Sequence, residues 1–219
     1  MKRKPILQKW LSARAGYEGK RTIGLIGINR GVGVTYTGML MAHFFGNENK
    51  IRTAYLECNN HMDFARLQEA YEWSHEDESS FSLDRVTYYK QVRKSLIPEI
   101  LNYDHDCYIL DFGTDFNDSM EEFIRCEYKI IIGDSAIWNQ NRMISFLRSI
   151  ENMKGVKQWI HMIPFADKRT IGGMRKEADR FFIGIPFEPN PTLLSKETHK
   201  IFSHMFKSNQ IRSHTVYHG

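Results

Sequence analysis

The chain alternates short apolar, β-prone runs with amphipathic stretches over most of its length, and this alternation restricts its fold more than any other feature. Runs such as Cys107-Tyr-Ile-Leu-Asp111 and Tyr128-Lys-Ile-Ile-Ile132 are almost continuously apolar, as strands are when helices cover both faces of their sheet. The stretches between such runs carry apolar residues at helical spacing. Strand–helix repeats of this kind predict an α/β fold with a mostly parallel central sheet and helices on both faces.

The predicted elements follow this rhythm. Strands are expected at 22–27, 53–57, 81–89, 107–111, 128–132, 159–163 and 181–185. Amphipathic or helical stretches are expected at 40–45, 64–71, 92–101, 120–125, 141–153, 171–178 and 193–206. Pro98 should disturb the third of these. The chain after residue 206 has no periodicity and is expected to be a mobile tail.

The length of 219 residues and a hydrophobic content of 42% predict one domain with a sizeable core. We place this domain at 21–206, between an N-terminal extension (1–20) and the tail (207–219). An apolar run long enough to span a membrane or to act as a secretory signal is missing, so we expect a cytoplasmic protein. Three widely separated cysteines, Cys58, Cys107 and Cys126, favour neither disulfides nor a zinc site.

Positive charge is concentrated at the N-terminus. The net charge of +4 does not by itself predict specific nucleic-acid binding. Ile6, Leu7, Trp10 and Leu11 lie on one face of a basic amphipathic helix, and we expect this face to be buried against the domain or a protein partner. The alternative is that residues 1–20 contact an anionic membrane surface, which would place the protein at the inner face of the membrane.

A glycine-rich segment follows the first predicted strand. Gly27-Ile-Asn-Arg-Gly-Val-Gly-Val-Thr35 has the spacing of the phosphate loop G-x-x-x-x-G-K-[ST], in which backbone N–H groups surround a phosphate. Glycine allows positive φ angles and a close approach to the anion. Val34 stands where the pattern has lysine.

The surrounding segments resemble the MinD/ParA group (SIMIBI class) of P-loop ATPases. The loop keeps the last two glycines and the threonine of the family pattern K-G-G-x-G-K-T. Leu56-Glu-Cys-Asn-Asn60 is similar to the D-x-D strand end, 103–113 to the Walker B strand, and Ile185-Pro-Phe-Glu-Pro-Asn190 to the segment that runs past the adenine. The resemblance covers about 21–206.

This resemblance implies ATP or ADP with Mg²⁺ as ligands, and it identifies the residues that would hold them. Thr35 and Asp111 would form the magnesium site. The residues that it places around the nucleotide are Gly27, Asn29, Arg30, Gly31, Val32, Gly33, Val34, Thr35, Tyr36, Glu57, Asp111 and Pro186.

Three charged positions of the family are neutral in this chain. The P-loop lysine is Val34, the second lysine of the loop is Asn29, and the second acidic residue of D-x-D is Asn59. Phosphoryl transfer depends on positioning and charge neutralisation, so little or no hydrolysis is expected and no catalytic residue is assigned. One lost charge-assisted contact costs ~1.5–3 kcal/mol, about tenfold to a hundredfold in affinity.

We therefore expect a degenerate member of the family with weak or no nucleotide binding. It would act as a positioning, scaffold or regulatory protein through a homodimer or a protein partner, and its altered loop resembles those of CpaE/TadZ-like proteins. One alternative is an active ATPase in which Arg30 replaces the lysine. Another is a small-molecule kinase or transferase on a related fold, for which no acceptor site is visible.

Overall fold

The computed structural model describes residues 20–71, 79–178 and 180–214, and these contain one eight-stranded sheet. The strands are β1 (Arg21–Gly27), β2 (Thr53–Glu57), β3 (Ser80–Leu83), β4 (Val86–Tyr89), β5 (Cys107–Asp111), β6 (Tyr128–Ile132), β7 (Ile160–Pro164) and β8 (Phe182–Ile185). The α-helices are α1 (Val34–His43), α2 (Asp63–Tyr71), α3 (Ile97–Ile100), α4 (Phe116–Arg125), α5 (Gln140–Ser149), α6 (Lys168–Ala178) and α7 (Lys196–His214). A π-helical turn, Phe44–Glu48, continues α1.

The strand order is β3-β4-β2-β5-β1-β6-β7-β8. Every neighbouring pair is parallel except β3 and β4. This mostly parallel sheet with helices confirms the predicted fold class. Because parallel strands end at the same edge, Gly27, Glu57 and Asp111 lie together at the carboxyl edge of the three central strands. Ligands of open α/β sheets bind outside this edge.

Two hydrophobic cores lie on opposite faces of the sheet. One includes α1 and α7 and contains the contacting rings of Phe44 and Phe202. The other includes α4, α5 and α6 and contains the contacting rings of Phe123 and Trp159. All five residues of β5 are buried, which explains why this strand is apolar along its whole length.

Three elements differ from their predicted form. The run 81–89 is a hairpin of two strands, since Asp84 adopts a φ of 56° at the turn. The helix predicted at 92–101 is reduced to a 3₁₀ turn, Lys94–Leu96, followed by α3. Helix α7 continues to His214, beyond the predicted helix end at residue 206, while the boundary between the domain and the tail stays a prediction.

The predicted N-terminal helix lies outside the described residues, which begin at Lys20. The Lys20 ammonium donates hydrogen bonds to the carbonyls of Leu101 and Tyr103 at 2.8 and 2.6 Å, so Lys20 itself is attached to the domain. Within the described part of the chain, no helix combines the length and apolar character needed to cross a membrane.

Two histidines are buried in the cores, and they make stability dependent on pH. Burial lowers the pKa of both His43 and His161 to about 4. The folded state then binds fewer protons than the unfolded state between about pH 4 and 6.5, so stability should be lost as the pH falls through this window. The loss is at most ~3 kcal/mol per histidine.

The substitution His161→Leu tests this dependence. His161 is 4% exposed and its Nε2 has no hydrogen-bond partner among the described residues. The imidazole also forms a hydrogen bond with the Phe181 backbone, so an apolar side chain of similar size should cost ~1 kcal/mol at pH 7 and should flatten the decline below pH 6.5. Urea unfolding of the wild type and of His161→Leu at several pH values measures the loss of stability. Parallel pH profiles of the two proteins would show that His161 does not cause it.

Candidate phosphate loop and magnesium site

The loop between β1 and α1 is fixed to the carboxyl edge of the sheet by backbone hydrogen bonds. The N–H groups of Gly27 and Ile28 donate to the carbonyls of Gly113 and Ile132 at 2.8 and 3.0 Å. Gly31 and Gly33 have φ angles of 81° and 90°, which only glycine adopts without strain. The loop borders a cavity of about 310 Å³.

Val34 is buried, and its side chain turns back over the start of the loop. A Cβ at Gly27 would lie 2.6 Å from a Val34 methyl and 2.8 Å from a Val32 methyl. Both valines belong to the core on the α1 face. The side chain at the lysine position therefore packs against the start of the loop and lines the cavity, and it offers no charge there.

Asp111 forms the centre of a closed hydrogen-bond network. Its Oδ2 accepts from the hydroxyls of Thr35 and Tyr55 at 2.8 and 3.3 Å. Its Oδ1 accepts from the Asn59 amide at 2.9 Å and from the Gly113 N–H at 2.8 Å. Burial raises the pKa of this fully buried carboxyl, and the hydrogen bonds oppose that rise. Oδ1 thus has two donors within the protein, whereas Oδ2 has the Thr35 hydroxyl and a Tyr55 proton that is shared with the Thr35 carbonyl.

Glu57 does not line the cavity, although it is the last residue of β2, as predicted. Its Oε1 accepts from the N–H groups of Asp63 and Phe64 at 2.6 and 3.3 Å. Its Oε2 accepts from the N–H of Gln91 at 3.2 Å. The carboxylate therefore holds the first turn of α2 against the sheet. Its predicted contact with a nucleotide stays a prediction.

Three residues at or just before the start of α2 line the cavity, although the sequence assigned them no role in the site. They are His61, Asp63 and Arg66. Asp63 Oδ2 lies 3.2 Å from the Thr35 hydroxyl, and Asp63 Oδ1 lies 3.1 Å from Arg66 Nη1. His61 and Asp63 belong to the segment 61–64, which continues the family resemblance after β2, whereas Arg66 carries no such signal and is brought to the loop by the fold alone.

Tyr36 connects the loop to the segment after β8. Its hydroxyl accepts from the Glu188 N–H at 2.6 Å and lies 3.5 Å from the Pro186 carbonyl. Its ring is 4.9 Å from that of Phe165. Pro186 thus contacts the loop through Tyr36 and does not itself line the cavity.

The two polar side chains of the loop differ in exposure. The Asn29 amide nitrogen donates to the Arg30 carbonyl at 3.0 Å, while its buried oxygen has no partner among the described residues. Arg30 is exposed at the cavity. A guanidinium there is free to approach an anion, whereas the unpaired Asn29 oxygen would favour a donor.

The donor set is compatible with Mg²⁺ and a phosphate. A hydroxyl and carboxylates are the oxygen ligands that Mg²⁺ prefers, and Mg²⁺ usually takes its remaining ligands from water and phosphate. Thr35, Asp63 and Asp111 supply such oxygens. Among the described residues, no group of three or more His, Cys, Asp or Glu side chains is placed to hold a metal ion. A bound Mg²⁺ would therefore need ligands from water and phosphate. The positive φ angles of Gly31 and Gly33 allow N–H groups of the loop to face a phosphate.

No protein-family model matches the sequence, and no curated protein matches it significantly. Its fold is nevertheless similar to that of solved structures. The MinD cell division protein of Aquifex aeolicus superposes with a TM-score of 0.62 at 11% identity, covering 86% of this chain and 97% of that chain.

Two further structures have the same fold. A plasmid partition protein of Borrelia burgdorferi B31, bound to AMPPNP, has a TM-score of 0.60 at 12% identity and covers 88% of this chain and 100% of its own. A ParA family ATPase of Chlorobium tepidum TLS has a TM-score of 0.54 at 14% identity, with coverage of 78% and 85%. The chain therefore has the fold of the MinD/ParA-like P-loop ATPases.

Proposed function

We propose that this protein is a degenerate MinD/ParA-like P-loop protein that binds Mg-nucleotide weakly and does not turn it over efficiently. The observation that carries the proposal is the buried Val34 side chain at the lysine position. The loop keeps its glycines and Thr35, and the similar Borrelia protein is bound to AMPPNP. A backbone cradle without the ammonium supports binding but provides little stabilisation of a transferring phosphoryl group.

The closed network around Asp111 supports the same proposal. Mg²⁺ at this site would have to compete with the donors that already satisfy both carboxylate oxygens. Asn59 is an amide that donates to Asp111. Position 59 therefore lacks a carboxylate that could orient a water. A cation should therefore bind weakly and depend on the phosphate that accompanies it.

The proposed role is positioning, scaffolding or regulation through a second copy or a protein partner. Large apolar side chains are exposed after the carboxyl ends of three neighbouring strands: Trp138 after β6, Phe165 after β7 and Phe187 after β8, with exposed fractions of 82%, 47% and 65%. Aromatic residues are enriched in protein interfaces. Phe165 lies beside the loop, 3.9 Å from the position of a Cβ at Gly33, so an occupied loop would alter the surface offered to a partner.

Calorimetric titration with Mg-ATP and Mg-ADP tests the proposal. We expect micromolar or weaker dissociation constants and no steady release of phosphate above a protein-free control. Asp111→Asn is the matched variant, since it keeps the size of the side chain but removes its charge, and thermal unfolding checks its fold. Sustained phosphate release by the wild type that Asp111→Asn abolishes would show the protein to be an ATPase.

An active ATPase that uses Arg30 is the second candidate, because Arg30 lines the cavity and is exposed. Its guanidinium matches phosphate geometry. Phosphate release that is lost in Arg30→Ala would favour this candidate over the first.

A further inference from the structure

We propose that Arg66 supplies the positive charge that Val34 does not, and that it binds the terminal phosphates of a polyphosphate in the P-loop cavity. This inference rests on the proposed function, since it concerns the same cavity. It assigns the phosphate contact to α2, a different element from the loop that carries the lysine in the family pattern.

Arg66 faces the loop across the cavity. It lines the same cavity as the loop residues, and its side chain is 71% exposed. Nη1 donates to the His61 carbonyl at 3.2 Å and to Asp63 Oδ1 at 3.1 Å. Among the described residues, Nε and Nη2 have no hydrogen-bond partner. A guanidinium offers five donors in a planar fork, so this edge is available to a phosphate.

The turn that carries Arg66 is held in place by buried groups. The Glu57 carboxylate accepts from the N–H groups of Asp63 and Phe64. Phe64 is fully buried, and its ring packs 4.7 Å from that of Tyr55. The start of α2 is therefore fixed relative to the sheet, which reduces the ordering cost of a contact made from it.

Asp63 connects the two sides of the site. One of its oxygens lies 3.2 Å from the Thr35 hydroxyl, whose single proton is shared with Asp111, and the other accepts from Arg66. The Asp63–Arg66 ion pair is exposed, and exposed pairs are weak. A doubly charged phosphate group can therefore compete for the guanidinium. Asp63 acts as a positioning residue that keeps Arg66 close to the hydroxyl of the candidate magnesium site.

The charges of the cavity identify the ligand class. Arg30 lies on the loop side and Arg66 on the α2 side, so the cavity is bordered by two guanidinium groups. Arginine forms bidentate hydrogen bonds with phosphate oxygens. Two such groups, the loop N–H groups and a magnesium site fit a chain of linked phosphates, either as part of a nucleotide or as inorganic polyphosphate.

The test is calorimetric titration of Mg-ATP and of magnesium tripolyphosphate into wild type, Arg66→Ala, Arg66→Lys and Arg148→Ala. Arg148 is an exposed arginine of α5 that does not line this cavity, so it controls for the loss of one positive charge. We expect Arg66→Ala to weaken binding about tenfold, as the loss of one charge-assisted contact does. Arg66→Lys should fall between, and Arg148→Ala should bind as the wild type does.

The outcomes separate this inference from the proposed function. If the wild type binds Mg-ATP and Arg66→Ala binds it equally well, Arg66 is not a phosphate ligand, while weak nucleotide binding still stands. If the wild type binds neither ligand at millimolar concentration, both proposals fail. A tenfold loss for both ligands supports a polyphosphate site, and a loss confined to Mg-ATP supports a nucleotide site. Thermal unfolding of each variant shows that it is folded.

Discussion

Replacing Gly38 with alanine is expected to destabilise the domain by about 3 kcal/mol or more, at the upper end of overpacking effects. Gly38 lies in the middle of α1, directly above the ring of Tyr55 on β2. A Cβ at this position would lie 1.9 Å from the Tyr55 hydroxyl oxygen and 2.2 Å from Cζ. Tyr55 is fully buried, and its single hydroxyl proton is shared between the Thr35 carbonyl at 3.1 Å and Asp111 Oδ2 at 3.3 Å. The ring has no room to move.

Gly172→Ala is the matched control, because Gly172 is also a helical glycine. It lies in α6, and a Cβ there would meet no atom within 4 Å. Alanine at such a position should stabilise the protein by ~0.5–1 kcal/mol through helix propensity. Urea unfolding of both variants should give shifts of opposite sign, and a small effect at Gly38 would contradict the close packing of α1 on Tyr55.

Adding Tyr55→Phe separates the two possible causes of the clash. This change removes the hydroxyl but keeps Cζ, which would still lie too close to the new Cβ. The double variant Gly38→Ala, Tyr55→Phe should therefore recover little stability. Full recovery would show that only the hydroxyl obstructs the alanine. Because Tyr55 also contacts Thr35 and Asp111, the same packing keeps the loop in position.

The sequence predicts an element well when every residue in it points to the same secondary structure and the same degree of burial. In β5 both faces are buried, so an apolar run marks the strand at its observed limits, 107–111. The hairpin of β3 and β4 was predicted as one strand because Asp84 provides a turn without glycine or proline. The predicted end of helix α7, residue 206, lies before the observed end at His214 because the last residues of the helix lack apolar periodicity.

The candidate site shows a similar division. The loop could be located because its chemistry lies in consecutive residues with fixed glycine spacing. Asp63 and Arg66 could not be located, since they reach the loop only through the turn after β2, where Met62 adopts a φ of 59°. Glu57 matches a family position by sequence, but spacing alone does not show that its carboxylate faces the N–H groups of α2.

Val34→Lys is expected to tighten Mg-ATP binding by about one to two decades, because it adds a charge-assisted contact. The Val34 side chain already turns back over Gly27, so the stem of a lysine can follow the same path and bring its ammonium to the cavity. Without ligand the variant should be less stable than the wild type, since a buried methyl contact is replaced by a charged chain. Mg-ATP should restore that stability.

Val34→Met controls for the longer side chain, because methionine is similar in length but uncharged; it should not bind Mg-ATP more tightly. Unchanged affinity in Val34→Lys would mean that the loop has no phosphate site.

The lysine variant should still release little phosphate, since nothing at position 59 orients a water. Adding Asn59→Asp should not correct this. The Asn59 amide donates to Asp111 Oδ1 at 2.9 Å, so aspartate there would bring two carboxylates into contact, raise the pKa of one of them and disrupt the network that holds Thr35. Phosphate release by Val34→Lys and by the double variant, measured at saturating Mg-ATP, tests this directly: turnover that appears only in the double variant would show that a carboxylate at position 59 is tolerated and active.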